Sequence, residues 1–265
     1  MNQDAIAQGI EALSAQLASG NSAALTAYLG TMGRFHNYSF GNVMAIAMQR
    51  PDAVRVAGFH TWKALGRTVK KGEKAIRILA PMVGKGKDEE TGEAKPHVYG
   101  FRGVCVFDIS QTEGDDLPDF AKVSGNAGDA LGKLIQFAAD SSIAVEFVDD
   151  LGGAEGVSYG GKIKLLTGKQ DAEQVAVLTH ELAHELLHKQ DRKNTGGKDR
   201  RELEAEAVAF IVGNAIGLDM STASADYIRL YNGNAEALTE SLDGISKASK
   251  IILTAIESKQ ELKAA

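Results

Sequence analysis

The sequence predicts an α+β protein of two domains, and three observations carry that prediction. Alanine-rich helical patterns occupy both ends of the 265-residue chain. Runs rich in Val, Phe and Tyr, which are typical of strands, lie between them. A segment of acidic residues, proline, glycine and serine separates the two halves. We therefore expect an N-terminal α+β domain at residues 1–112, a linker at 113–126 and a mostly helical domain with a small sheet at 127–265.

The elements follow from periodicity and from turn residues. In the first half, helical patterns at 3–18 and 22–48 come first. A strand-like segment at 54–62 then leads to residues 65–81, which indicate a short helix, a turn and a strand, and a further strand is expected at 97–110. A polar, glycine-rich loop is expected at 83–96. In the second half we expect a helix at 127–140, strands at 143–148 and 156–168, and helices from 171 almost to the end.

Composition restricts the class of protein and the partners. Apolar residues make up 44% of the chain and charged residues 24%, as in globular proteins, and no apolar run is long enough to cross a membrane. The single Cys105 and the absence of a leader pattern favour the cytoplasm. Residues 1–112 carry 13 Lys/Arg and 9 Asp/Glu, whereas residues 113–265 carry 16 and 26. The resulting charges of +4 and -10 predict modules with different partners, the alternative being chance.

A His-Glu-x-x-His motif at 180–184 predicts a zinc site. His180 and His184 lie one helical turn apart on an apolar face, so both imidazoles can reach one Zn²⁺. Glu181 lies about 100° around the helix, where a general base for a water molecule belongs. The alternative is a pair of hydrogen-bonded core histidines. His188 drifts about 80° from His180, and we expect it to lie outside the ligand set.

A catalytic zinc needs a third protein ligand, and the segment 201–217 offers three glutamates. Helical angles put Glu204 on the apolar face, where an unpaired carboxylate is costly. We therefore predict Glu204 as the third ligand, with Glu206 as the alternative because helix phase can shift at a terminus. Glu202 falls on the more solvated side, where acidic charge near a helix N-terminus is favourable in itself. A strand at 156–166 is expected beside the site as the edge that aligns a peptide.

The first half combines basic and aromatic residues. Between 50 and 77, eight Lys/Arg stand against two Asp/Glu, with aromatic side chains among them. Cations attract phosphates and aromatic faces stack unpaired bases, so the segment indicates a single-stranded DNA groove. The alternative is a solvated charged face over an aromatic core. The predicted DNA contacts are Trp62, Arg67, Lys70, Lys71 and Lys74.

At these residues the sequence resembles a known family. Its first half resembles the N-terminal domain of the ArdC antirestriction proteins over YSFGNVMAIAMQRPDAVRVAGFHTWKALGRTVKKGEKAIRILAP and VFDISQT. Its second half resembles the zincin-type metallopeptidase domain that follows, over HELAHELLH and RELEAEAVAFIV. The resemblance implies a plasmid, phage or other mobile element whose protein binds incoming single-stranded DNA and shields it from restriction. It also implies metal ligands at His180 and His184 and a catalytic Glu181, while Glu204 and Glu206 stay open.

We therefore expect an antirestriction protein that binds single-stranded DNA and carries a zinc metallopeptidase acting on a host restriction or defence protein. One alternative is a DNA-coating protein whose zinc domain is structural or inactive. The other is a repressor-cleaving peptidase of the ImmA/IrrE type, in which the first half binds protein.

Overall fold

The computed structural model of the protein describes residues 3–19, 23–87, 94–115, 127–189, 197–218, 220 and 234–257. Helices and strands are both present, which confirms the predicted α+β class. The chain divides into two compact units. Unit 1 comprises Met1–Gly9 and Gly41–Pro118, and unit 2 comprises Ile10–Phe40 and Asp119–Ala265.

This division differs from the boundary expected at residue 112, because residues 10–40 pack within unit 2. Helix α2 (Ala23–Arg34) lies on α7 (Gly197–Ala215) so closely that a Cβ on Gly33 would come within 3.0 Å of the Ile211 carbonyl oxygen. An amphipathic pattern shows that a helix has an apolar face, but not which partner covers it. The limits 1–112, 113–126 and 127–265 stay a prediction for independently folding domains, and residues 116–126 of the linker lie outside the described residues.

Unit 1 is built around two small antiparallel sheets. Only the residues of α1 (Gln3–Ala18) up to Gly9 belong to this unit. Its further elements are α3 (Phe40–Gln49), β1 (Val56–Gly58), α4 (Phe59–Ala64), β2 (Arg67–Val69), β3 (Ile76–Lys87), β4 (Ala94–Asp108), a 3-10 turn (Ile109–Gln111) and β5 (Thr112–Gly114). Strand β4 is central in the first sheet, in the order β1-β4-β3, and β2 pairs with β5 in the second.

Strands β3 and β4 extend into both ends of the loop expected at 83–96, at residues 83–87 and 94–96, and residues 88–93 of that loop lie outside the described residues. The strands pair from Ile76↔Val106 to Lys87↔Ala94, with a bulge between Met82 and Val83. Glycine and lysine supply backbone hydrogen bonds as other residues do, so pairing continues beyond the apolar part of the pattern.

Two buried polar side chains fasten β4 to its surroundings. Trp62 of α4 is fully buried, and its indole N–H donates to the Phe107 carbonyl oxygen at 2.9 Å. Asp108, at the end of β4, is 1% exposed. Its carboxylate accepts the backbone N–H groups of Val54, Arg55 and Ser110 at 2.8, 2.9 and 3.0 Å. One carboxylate therefore joins the entry to β1 with the exit from β4.

In its described residues, unit 2 is mostly helical and contains one three-stranded sheet. Strand β8 is central, parallel to β6 and antiparallel to β7. Besides α2 and α7, its elements are α5 (Ala127–Asp140), β6 (Ala144–Val148), β7 (Gly156–Ser158), β8 (Lys162–Leu166), α6 (Asp171–His188) and α8 (Ala235–Glu257). Among the described residues, no helix combines the length and the apolar character that a membrane crossing needs.

The Asp108 contacts predict a pH-dependent contribution to the stability of unit 1. Burial alone would raise the pKa of Asp108, but hydrogen bonds from Ser110, Arg55 and Val54 outweigh it and lower the pKa. Asp108→Asn puts an NH₂ group where an oxygen accepts, and we expect it to lower the free energy of unfolding by roughly 1–3 kcal/mol at neutral pH. Urea denaturation followed by the fluorescence of Trp62, the single tryptophan, measures this.

Because the folded-state pKa is depressed, the carboxylate's contribution is complete above its ordinary pKa of about 4 and is lost as the pH falls below that value. The difference in the free energy of unfolding between Asp108→Asn and the wild type should therefore become smaller in acid. Asp52→Asn is the control, since that side chain is 74% exposed. Equal effects of the two substitutions at neutral pH would contradict the assignment.

Candidate metal centre

Helix α6 carries its polar groups into the interior of unit 2. It packs against α5, α7 and α8 and against the strands β7 and β8. Leu178, Leu182 and Ala183 on its apolar side are fully buried. The ionisable side chains on the remaining surface therefore face neighbouring elements at close range, and each needs a partner there.

Three side chains from α6 and α7 converge at one point. His180 Nε2 lies 3.1 Å from His184 Nε2. Glu202 Oε2 lies 3.3 Å from the first nitrogen and 3.6 Å from the second. Among the described residues, these form the group of His, Cys, Asp and Glu side chains that could hold a metal ion.

These separations fit a tetrahedral cation. Ligands at about 2.05 Å in tetrahedral geometry lie about 3.4 Å apart, close to all three measured separations. Burial lowers the pKa of His180, and burial together with His180 lowers that of His184 to about 4. Both imidazoles are therefore neutral at neutral pH, which is the form that binds a metal.

In the structure Glu202, and not the predicted Glu204, lies with the two histidines. Glu204 accepts hydrogen bonds from His188 Nε2 and Arg200 Nε, both at 2.8 Å, and from the Ser241 hydroxyl. Burial would raise the pKa of Glu204, but these bonds outweigh it and hold the pKa at about 2. The buried carboxylate on the apolar face is satisfied by protein donors, so its burial was no sign of a metal.

Glu202 was missed because its side of α7 looked solvated. Its side chain is 44% exposed, since it borders an open pocket. The alternative ligand, Glu206, does not join the histidine cluster within the described residues. Glu202 lies with the histidines at the open pocket, so partial exposure was the signal available for its place in the cluster.

Glu181 lies beside the cluster and is 7% exposed. Burial, and next the charge of Glu202, raises its pKa to about 7, although the Ser158 backbone N–H donates to its carboxylate. A carboxyl group with this pKa exchanges protons near neutral pH, as a general base requires. The prediction for Glu181 is compatible with this position and stays a prediction.

The strand expected near the site is β7, at one edge of its sheet. The N–H of Tyr159 donates to Lys162 and that of Leu166 to the Glu155 carbonyl, so alternate residues face β8. Gly156 and Ser158 therefore point their backbone groups away from β8.

The cluster opens into a pocket of about 530 Å³. Its lining comes from β7, from the polar side of α6 and from Lys198, Arg201 and Glu202 of α7. The pocket thus combines metal-binding donors, a candidate base, a strand edge and two cations.

Sequence reasoning also missed the role of Glu185. This side chain is 3% exposed, and it accepts the N–H groups of Gly160 and Gly161 at 2.7 and 2.6 Å and the Ser158 hydroxyl. Both glycines have positive φ, and this conformation turns their N–H groups toward the carboxylate. Glu185 therefore ties the turn after β7 to α6, and the Gly-Gly pair was the signal available.

The predicted DNA contacts in unit 1 differ in their availability. Trp62 is fully buried, which contradicts the prediction that it stacks on a base. The Arg67 guanidinium donates to Thr112, Gly114 and Asp115, so it holds β2 to β5. The remaining three, Lys70, Lys71 and Lys74, are exposed on the turn between β2 and β3.

Comparisons with known sequences find a family model that matches the first part of the chain. A family model described as the N-terminal domain of anti-restriction factor ArdC matches residues 3–107. An uncharacterized protein of Bacillus anthracis is 28% identical over 253 residues, in a match that covers 79% of this chain and 43% of that protein. The chain thus spans less than half the length of this curated relative.

Solved structures share the fold. The metal-free crystal structure of the antirestriction ArdC protein from the R388 plasmid has a TM-score of 0.50 and 20% identity, covering 84% of this chain and 86% of that chain. The Mn(II)-bound structure of that protein has a TM-score of 0.49 with the same identity and coverage. At this identity the similarity of the metal-free structure concerns the fold.

The close approach of β7 to α6 can be tested at Gly156. A Cβ there would lie 2.5 Å from Val177 Cγ1 and 3.1 Å from Glu181 Oε1. We expect Gly156→Ala to lower the free energy of unfolding by roughly 1–3 kcal/mol through overpacking. Gly132→Ala is the matched control, since its Cβ meets no atom within 4 Å and alanine favours a helix. Thermal unfolding in which both variants gain stability would show that β7 does not depend on this contact.

Proposed function

We propose that this chain is an ArdC-type protein with two activities. Unit 1 binds single-stranded DNA, and unit 2 hydrolyses a peptide bond of a host defence protein. The match of the N-terminal family model and the similarity of the fold support the ArdC assignment. The observation that carries the second part is the convergence of His180, His184 and Glu202 next to Glu181 in an open pocket. Two imidazoles and one carboxylate are a donor set found in catalytic zinc sites, which keep one coordination position open.

His180, His184 and Glu202 would hold the ion, with Zn²⁺ as the proposed metal. A divalent cation bound there would lower the pKa of a water molecule and polarise the substrate carbonyl. Glu181 would accept the proton of the attacking water and later donate it to the leaving amine. The Ser158 N–H fixes the carboxylate for both transfers.

The walls of the pocket suit an extended peptide. Apart from the Ser158 N–H, which donates to Glu181, the edge of β7 offers backbone groups that can pair with a substrate strand. Alternate substrate side chains then point to opposite sides. Lys198 and Arg201 bring two positive charges to the lining of the pocket, and they favour an acidic group on the bound peptide. The substrate we propose is therefore a protein segment that can be held in extended form.

Unit 1 supports the DNA-binding part with exposed cations and exposed rings. Lys70, Lys71 and Lys74 surround the turn at Gly72 and are accessible to phosphates. Phe59, Tyr99 and Phe101 are 47%, 66% and 65% exposed, and we propose that these rings stack bases in place of Trp62.

Glu181→Gln tests the peptidase part. The amide cannot accept a proton, so we expect protection of unmodified DNA in a restricting host to fall by roughly 100-fold or more if it depends on cleavage. Zinc content, measured by elemental analysis, and the melting temperature should stay at the wild-type level. Glu202→Gln is the companion variant, and we expect it to lower zinc content as well.

Full protection by Glu181→Gln would refute the peptidase part and leave a DNA-coating protein with a structural metal domain. Full zinc content in Glu202→Gln would remove Glu202 from the proposed ligands.

The DNA-binding part is tested by the salt dependence of affinity. Replacing Lys70, Lys71 and Lys74 with alanine removes up to three phosphate contacts. Because each contact to a single strand contributes about 0.7 to the slope of log K against log salt, the slope should become shallower by about 2. Fluorescence anisotropy with a labelled oligonucleotide at several salt concentrations measures it. The control is the triple variant of Lys133, Lys247 and Lys250 in unit 2, and equal losses in both triple variants would contradict the assignment.

A further inference from the structure

Helix α6 carries a third histidine that the proposed ligand set does not use. We propose that His188 and Glu204 are positioning residues that fix the tautomer of His184, so that its Nε2 lone pair faces the metal. The inference rests on the metal site proposed above, but it does not depend on peptidase activity.

A continuous row of hydrogen bonds leads from the metal cluster to Glu204. His184 Nδ1 lies 3.0 Å from His188 Nδ1, and His188 Nε2 lies 2.8 Å from Glu204 Oε2. Arg200 Nε and the Ser241 hydroxyl then donate to Glu204 Oε1. The row therefore joins α6, α7 and α8.

The direction of each hydrogen bond follows from the carboxylate. Glu204 receives donors on both oxygens and is ionised, so it can only accept, and His188 Nε2 must carry a proton. In a neutral imidazole the other nitrogen is then an acceptor, so His188 Nδ1 accepts from His184 Nδ1–H. The remaining nitrogen of His184, Nε2, is left with a lone pair directed at His180 and Glu202.

This arrangement explains why His188 is not itself a ligand. Both of its ring nitrogens are engaged, one by His184 and the other by Glu204. It contributes to the lining of the pocket, but it is only 5% exposed. Side chains that accept a hydrogen bond from a metal-binding histidine, without touching the metal themselves, orient its ring and raise its basicity.

Glu204→Gln tests the proposal with little change in volume. An amide nitrogen facing His188 donates, so His188 Nε2 becomes the acceptor and its Nδ1 gains the proton. Two N–H groups then oppose each other between His188 and His184 unless the His184 proton moves to Nε2, where it blocks the metal. We expect zinc affinity, measured by competition with a chelator, to fall by roughly 10–100-fold, and His188→Gln to weaken it similarly.

Glu240→Gln is the matched control. Its carboxylate also contacts Arg200, at 3.7 Å, but its side chain is 67% exposed and lies outside the row of hydrogen bonds. We expect its zinc affinity to stay within twofold of the wild type. Equal losses in Glu240→Gln and Glu204→Gln would overturn the proposal, because they would trace the effect to Arg200.

The wild-type protein supplies a test that does not depend on the folding of a variant. Long-range ¹H–¹⁵N spectra of the zinc-loaded protein show which ring nitrogen carries the proton, and we expect Nδ1–H on His184 and Nε2–H on His188. A proton on Nδ1 of His188 would overturn the inference. Zinc binding with wild-type affinity in Glu204→Gln would overturn it while leaving the metal site intact, and a wild-type protein that binds no zinc would overturn both.

Discussion

The need to satisfy the polar side chains of α6 inside unit 2 determines how the surrounding elements are placed. His180, Glu181, His184, Glu185 and His188 lie on one helix that other elements enclose. A buried ionisable group without a partner is destabilising by several kcal/mol, so each must be matched. The β7 strand and its turn serve the two glutamates, and α7 serves the three histidines. The candidate site is thus the outcome of the same contacts that hold unit 2 together.

The two glutamates of α7 illustrate how helix geometry assigns different roles to like residues. Glu202 and Glu204 are two positions apart, which separates them by about 200° around the axis. One carboxylate reaches the open side of α6 and the other reaches the enclosed end at His188. Their side chains are accordingly 44% and 11% exposed. The exposed Glu202 carboxylate is accessible to a cation and a substrate. The buried Glu204 carboxylate accepts hydrogen bonds from three protein groups, which hold it in place.

The local features of the sequence were sufficient for the α6 helix and for His180 and His184, because one-turn spacing on a capped amphipathic helix depends only on neighbouring residues. Glu204 was predicted as the third ligand because the helical pattern of α7 does not show the partners of its carboxylate, which, Arg200 apart, lie on α6 and α8. The predicted stacking of Trp62 on a base failed for a similar reason. Whether an aromatic side chain among cations is exposed or buried depends here on β4, which is distant in sequence and covers Trp62. The packing of α2 in unit 2 equally depended on a helix more than 160 residues away.

We propose above that Glu202, with His180 and His184, forms the metal centre of this chain. Anomalous diffraction from crystals of the protein loaded with zinc tests it most directly. The account predicts one peak at about 2.0–2.2 Å from His180 Nε2, His184 Nε2 and a Glu202 oxygen. A peak bonded to Glu204 or His188, or no peak between α6 and α7, would contradict it.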